Sequence, residues 1–217
     1  MDTKRIRIVI ADDHPIILLG IQACIEEIFS YQIVGTAQNP DELIHVLNTT
    51  LCDVVVTDYV MPGSHVGDGL ELIDVLKRDY PSIGIVMVTA IDKPAIIGAM
   101  MARGVENIIS KTDDLSHVVP AIQSVLVKRR YLSPSIERMP REHSTSNTTK
   151  LSPREREVIA LYLKGKTITE IAATLNIRKQ TASGQKSSAM SKLGFMSDAD
   201  LFQHAADLEL WALGDDD

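Results

Sequence analysis

Five short runs rich in Val and Ile punctuate the first 130 residues: Ile6–Ile10, Ile33–Gly35, Val54–Val56, Ile83–Val88 and Val105–Ile109. Their apolar residues are consecutive rather than alternating, so both faces of each run must be covered, as in the buried strands of a parallel sheet. Amphipathic stretches near 15–29, 41–48, 70–79, 94–103 and 116–130 separate and follow the runs. Strand and helix in regular alternation predict a doubly wound α/β domain over residues 1–132. Pro15 and Pro94 suit first helical turns, and Pro120 marks a start or kink in the last stretch. Residues 133–150 are rich in Ser, Thr, Asn and Pro without apolar periodicity and read as a linker. A new start follows. Ser152, Pro153 and Glu155 have the spacing of a capping box with proline in the first turn. Helical patterns at 153–164, 169–175, 179–193 and 198–213, punctuated by Gly165, Asn176 and Gly194, predict a small all-α domain over 151–217.

Charge is distributed unevenly. The chain of 217 residues carries −7 overall, yet residues 151–196 hold eight Lys or Arg against three Asp or Glu, and residues 197–217 hold seven acids and no base. A compact basic block in an acidic chain points to one segment that meets a polyanion. No apolar run approaches the roughly 18–20 residues of a membrane helix, and the first apolar run is too short for a secretory signal. Cys24 and Cys52 make neither a disulfide framework nor a metal cluster. A cytoplasmic protein with no membrane partner is the expectation.

The ends of the strand runs carry the chemistry. The first run leads into Asp12-Asp13, the third into Asp58, the fourth into Thr89 and the fifth into Ser110-Lys111. In an open parallel sheet these ends share one edge, where such folds place their sites. Acids also collect at strand ends as ordinary loop residues, so Asp12-Asp13 alone decides little. The full set is more telling. Three close carboxylates repel unless a cation joins them, and a hard divalent ion such as Mg²⁺ suits oxygen ligands. Asp12-Asp13, Asp58 with Met61-Pro62, Thr89-Ala90 and Lys111 together resemble the receiver domain of two-component response regulators over residues 5–130. The resemblance implies a flavodoxin-like fold with Asp58 as phosphoacceptor. It implies that Asp12, Asp13, Asp58 and the main-chain carbonyl of Val60 serve Mg²⁺, and that Thr89 and Lys111 meet phosphoryl oxygens. Two departures stand out. Ile108 occupies the switch position where the family usually has Tyr or Phe, and the loop Gly63–Gly69 is longer than usual. His65 in that loop reads as solvated.

In the basic block, residues 169–177 form a short amphipathic stretch ending in a turn, and Ala172 and Ala173 allow a second helix to pack closely. That second helix, about 179–193, has Met190 and Leu193 as its expected buried side. Lys179, Gln180, Ser183, Gly184, Gln185, Lys186, Ser187 and Lys192 are its expected DNA-binding residues. A small polar, basic helix face suits the major groove of double-stranded DNA. Gln185 has the geometry to pair with adenine, whereas Lys186 and Lys192 are expected at phosphates. The sequences from Leu151 to Glu157, Glu170-Ile171-Ala172 and Lys192-Leu193-Gly194 resemble the LuxR-type helix-turn-helix. With the receiver, the chain is similar to response regulators of the NarL/FixJ class. Arg178 departs from the Ser common before the recognition helix, and Gly184 lies inside it. The implied function is a transcriptional regulator controlled by phosphorylation from a sensor histidine kinase or phosphotransfer protein. It would act as a homodimer, or as a heterodimer with another regulator. One alternative is a dimer acting without phosphorylation. A remoter one is an aspartate-nucleophile phosphatase, weakened by Val60 where such enzymes place a second acid.

Overall fold

A computed structural model describes residues 5–139, 151–205, 208 and 210. The chain divides into two compact units, Met1–Asp92 with Arg103–Met139, and Lys93–Ala102 with Pro140–Asp217.

The sheet is parallel, with strand order β2-β1-β3-β4-β5-β6. Its strands are β1 (Ile6–Ala11), β2 (Tyr31–Ala37), β3 (Val54–Asp58), β4 (Gly84–Thr89), β5 (Asn107–Ser110) and β6 (Tyr131–Leu132). Helices α1 (Pro15–Glu26), α2 (Pro40–Thr49), α3 (Gly69–Asp79), α4 (Pro94–Ala102) and α5 (Val118–Leu126) alternate with the strands as expected. Period-two geometry explains the consecutive apolar residues. Ile8, Ile10, Val54, Val56, Val86, Val88 and Ile109 form one core with Leu18, Ile21 and Ile25 of α1 and Val118, Ala121 and Ile122 of α5. The residues of opposite parity, Val9, Val55, Met87 and Ile108, are also fully buried.

Two features depart from the sequence reading. The sheet has a sixth strand, β6, whose two residues were too few to register as a run. Residues 133–139, read as the start of a linker, carry a helical turn, α6 (Pro134–Glu137), with Ile136 buried. Side-chain hydroxyls rather than an apolar stripe hold this turn, which is why composition concealed it. The expected linker residues 140–150 lie outside the described residues. The long loop after β3 is built rather than loose. Asp41 at the start of α2 accepts hydrogen bonds from Ser64 Oγ at 2.9 Å and from the N–H groups of His65 and Val66 at 3.1 Å each. Gly63 and Gly67 take left-handed backbone in this loop, at φ 87° and 82°.

The helices of the second domain are α7 (Pro153–Leu163), α8 (Ile168–Thr174), α9 (Lys179–Leu193) and α10 (Asp198–His204). Capping boxes open three of them: Ser152 with Glu155, Thr167 with Glu170, and Ser197 with Asp200. Arg178 caps α9 with no side-chain bond, and Gly194 ends it at φ 76°. Val158, Ile171, Ala172 and Ala182 form the centre where α7, α8 and α9 meet. The helix α10 is shorter than its expected span of 198–213. Leu208 and Leu210 are buried beyond it, and Trp211 lies outside the described residues.

Candidate functional site

The parallel topology brings the predicted carboxylates to one sheet edge. Asp12 follows β1, Asp58 ends β3, Thr89 ends β4, and Lys111 follows β5. Asp12, Asp58 and Thr89 are buried, with Asp58 only 4% exposed. Lys111 Nζ lies 2.6 Å from Asp58 Oδ2 and 2.7 Å from Asp12 Oδ2. Asp58 Oδ1 accepts the N–H of Tyr59 at 2.7 Å and, weakly, that of Val60 at 3.4 Å. Burial pushes the Asp58 carboxyl above its ordinary range; Lys111 works against that shift and Asp12 adds to it. For Lys111, burial opposes the charge, but the hydrogen bonds to Asp12 and Asp58 outweigh it and raise the ammonium pKa. The site therefore holds two buried carboxyl groups bridged by a single ammonium.

Asp13 stands at the rim, with Oδ1 2.6 Å from His14 Nδ1. One ligand atom from each of Asp12, Asp13, His14 and Asp58 can be chosen so that all lie within 4.8 Å of one another. Sequence reasoning did not include His14, although its place directly after two acids was the available signal. Its ring is mostly exposed, and its N–H donates to Asp12 Oδ1 at 2.9 Å. Thr89 Oγ1 accepts the N–H of Ile91 at 3.0 Å, and Thr89 O accepts the N–H of Lys111 at 2.7 Å. Ile108 is fully buried, on the side of β5 opposite Ile109, and pairs with Met87 across the ladder.

In the second domain the presented face of α9 differs from the expected one. Ala182, Ala189 and Leu193 are its buried residues, and Met190 is only half-buried. Alanines let α9 lie close to α7 and α8, which rotates the helix from the orientation that Met190 and Leu193 alone would give. Lys179, Gln180, Ser183, Gly184 and Ser187 are exposed, with Thr181, Ser188 and Ser191 beside them. Gln185 and Lys186, expected on that face, turn toward the domain instead. Lys186 Nζ is 2.5 Å from Asp198 Oδ1 and 3.8 Å from the ring centre of Tyr162, with its side chain 15% exposed. Gln185 Oε1 is buried with no hydrogen-bond partner among the described residues. Lys192 is partly exposed, but its Nζ is 2.7 Å from Glu155 Oε2. Glu155 also accepts from Ser188 Oγ at 2.7 Å and from the N–H of Ser152 at 2.6 Å. Burial alone would raise the Glu155 pKa, but Lys192, Ser188 and Ser152 together hold it down at about 2.

Comparison with known families resolves what this pairing of a carboxylate site and a helical domain is. The model described as "Response regulator receiver domain" matches residues 8–123, and that described as "Bacterial regulatory proteins, luxR family" matches residues 149–205. The chain is a LuxR-type response regulator. It is 35% identical over 209 residues to the transcriptional regulatory protein RcsB of Escherichia coli (strain K12), covering 95% of this chain and 97% of that one. Among solved structures it is similar to RcsB from Salmonella enterica serovar Typhimurium bound to promoter rprA in the presence of the phosphomimetic BeF3⁻. That likeness has a TM-score of 0.83 and 34% identity, covering 94% of this chain and all of the other. A structure of two RcsB dimers bound to two parallel DNAs gives a TM-score of 0.82 at 34% identity, covering 94% and 98%. Regulation of transcription under control of phosphorylation is the standard behaviour of this family, which is not an enzyme family. Among the described residues of this response regulator, no helix is long and apolar enough to cross a membrane.

Proposed function

We propose that Asp58 accepts a phosphoryl group from a sensor histidine kinase or phosphotransfer protein, and that its modification governs binding of double-stranded DNA by the exposed face of α9. The observation that carries this reading is the position of Asp58. It is a buried carboxylate at a strand end, 2.6 Å from an ammonium and clustered with Asp12 and Asp13. A carboxylate is a weak nucleophile, and an anionic phosphoryl group repels it. Lys111 offsets that repulsion, and the Tyr59 N–H fixes Asp58 Oδ1 so that the other oxygen faces Lys111.

The donor set fits Mg²⁺. Asp12, Asp13 and Asp58 offer only oxygen, their number matches a hard cation, and one lysine leaves the three acids short of neutral. These residues and the main-chain carbonyl of Val60 would hold the ion. The ion would supply positive charge against the phosphoryl group. Thr89 and Lys111 stand at the same edge, where they would meet phosphoryl oxygens. Phosphoryl transfer to Asp58 from a small donor, and hydrolysis of the product, are the only reactions assigned to the chain itself.

For DNA, Lys179 is the phosphate contact, and Gln180, Ser183, Gly184 and Ser187 face the groove. Lys186 and Lys192 instead secure the domain, through Asp198 and Glu155. One such face reads few base pairs, so the protein acts as a dimer on two half-sites, with itself or with another regulator, in the cytoplasm. Ile108 favours a second reading, in which some DNA binding proceeds without phosphorylation, because an isoleucine has no aromatic ring to follow Thr89.

Incubation with acetyl phosphate and Mg²⁺ tests the core of this proposal. The wild-type chain gains one phosphoryl group by intact mass, and Asp58→Asn gains none. Equal labelling of the two proteins refutes the assignment.

A further inference from the structure

Lys111 is held from two sides. At the sheet edge its Nζ meets Asp58 and Asp12. Behind it, the chain on either side is tied to the segment that follows α5. Ser133 is fully buried. Its N–H donates to Ile108 O at 3.0 Å, and its Oγ accepts the N–H of Ser110 at 2.9 Å. The paired residues of β5 and β6 end at Ile108 and Leu132. Without the Ser133 hydroxyl, the buried Ser110 N–H would have no place in that ladder. Two residues beyond Lys111, the carboxylate of Asp113 accepts from Ser135 N–H at 2.9 Å and from Ser135 Oγ at 2.6 Å. It is hydrogen-bonded to Ser133 as well. Ser110 Oγ in turn lies 2.7 Å from Thr112 Oγ1. The loop 110–113 thus carries the site's lysine at its centre and is fastened at both ends to residues 133–135.

We infer that the segment Tyr131–Glu137 relays the state of Asp58 to the chain that leads into the second domain, with Ser133 as a positioning residue for Lys111. The inference rests on the phosphoacceptor reading above. A phosphoryl group on Asp58 carries more negative charge than the carboxylate it replaces and extends beyond it. The Lys111 ammonium follows that charge and leaves its present contacts. Its main-chain N–H is pinned to Thr89 O at 2.7 Å, so the change passes along the short loop rather than being absorbed at Lys111. Ser110 and Asp113 then pull on Ser133 and Ser135. The buried Ile108 side chain has no polar atom to add to this chain of hydroxyls, and only its main-chain carbonyl joins in, by accepting the Ser133 N–H. The relay supplies a path through hydrogen bonds where the family usually has an aromatic side chain.

Hydrogen exchange of the full chain, with and without acetyl phosphate and Mg²⁺, tests the relay; intact mass scores phosphorylation in each sample. In the phosphorylated wild type the exchange rate over residues 131–137 changes by about fivefold or more. The same reagents leave it unchanged in Asp58→Asn. Ser133→Ala still gains the phosphoryl group, and its exchange difference falls below about twofold. Should Ser133→Ala fail to fold, Ser135→Ala, which removes only a half-buried hydroxyl, shows the same loss. A phosphorylated wild type with unchanged exchange at 131–137 overturns the relay and leaves the phosphoacceptor reading standing. Retention of the full difference in the folded serine variants overturns it too. Absence of any mass gain in the wild type removes both readings.

Discussion

The two domains bury carboxylates for opposite ends. At the sheet edge, Asp12 and Asp58 share a single lysine, and burial leaves Asp58 harder to ionise than usual. In the helical domain, Glu155 has Lys192, Ser188 and Ser152 around it and ionises more readily than usual. The first arrangement is under-neutralised and poised to take up a cation and a phosphoryl group. The second is fully satisfied and holds α7 to α9. A buried acid thus reveals its role by the balance of its partners rather than by burial itself.

Removing the shared cation should have the largest effect. Lys111→Met leaves two buried carboxylates facing each other, and a cost of about 3–5 kcal/mol is expected in urea unfolding without divalent ions. Added Mg²⁺ should recover part of that loss, and more of it in the variant than in the wild type. A variant as stable as the wild type in EDTA would erase the contrast between the domains.

The satisfied acid should respond to pH. Glu155 has a folded pKa of about 2 against an ordinary 4.5. A lowered folded pKa contributes stability that is fully present above pH 4.5 and is lost as pH falls from 4.5 through 2. The full contribution is about 3 kcal/mol. Thermal unfolding of Glu155→Gln and wild type, compared at pH 6 and pH 3, should show a gap that narrows at the lower pH. Lys192→Met should lose a similar amount at pH 6 by leaving Glu155 without its ammonium.

The turned face of α9 separates its lysines. Lys179→Ala should lower the slope of log affinity against log salt by about one unit, with little change in stability. Lys186→Ala should instead lower stability by about 1–2 kcal/mol, through loss of Asp198 and the Tyr162 ring. Fluorescence anisotropy at several salt concentrations, alongside melting curves, measures both. The smallest effect is expected at Gly184. Among the described residues, none outside its own helix comes within 4 Å of where its Cβ would stand, so Gly184→Ala should stabilise the domain by about 1 kcal/mol. Weakened DNA binding in that more stable variant would show that the missing side chain serves the duplex rather than the fold.

These contrasts also account for what was legible in the sequence. Strand ends in a parallel sheet converge by topology, so the position of Asp12, Asp13, Asp58, Thr89 and Lys111 after successive runs was enough to gather them. A helix offers no such convergence. Each residue turns the face by about 100°, and the core decides which face is presented. Leu193 is in that core as expected, but Ala182 and Ala189 rather than Met190 complete it, and Gln185 and Lys186 turned inward with them. The turn α6 escaped notice for another reason. It is secured by Ser133, Ser135 and Asp113, and a sequence rich in such residues reads as a linker. His14 was missed because a lone histidine is usually a solvated loop residue, although it directly follows two acids.

The position of β1 has a consequence for the life of the chain before it is complete. It precedes the other five strands of the sheet in the chain, yet it stands inside the sheet between β2 and β3. Ile8 finds Ile33 on one side and must wait for Val54 on the other. During translation an apolar strand therefore has an open edge until the third strand has emerged. The helices α7 to α9 close against near neighbours in sequence, and such local contacts form quickly. Closing the receiver sheet needs contacts between more distant parts of the chain than the helical domain does, and an unpaired apolar strand edge is a template for other chains.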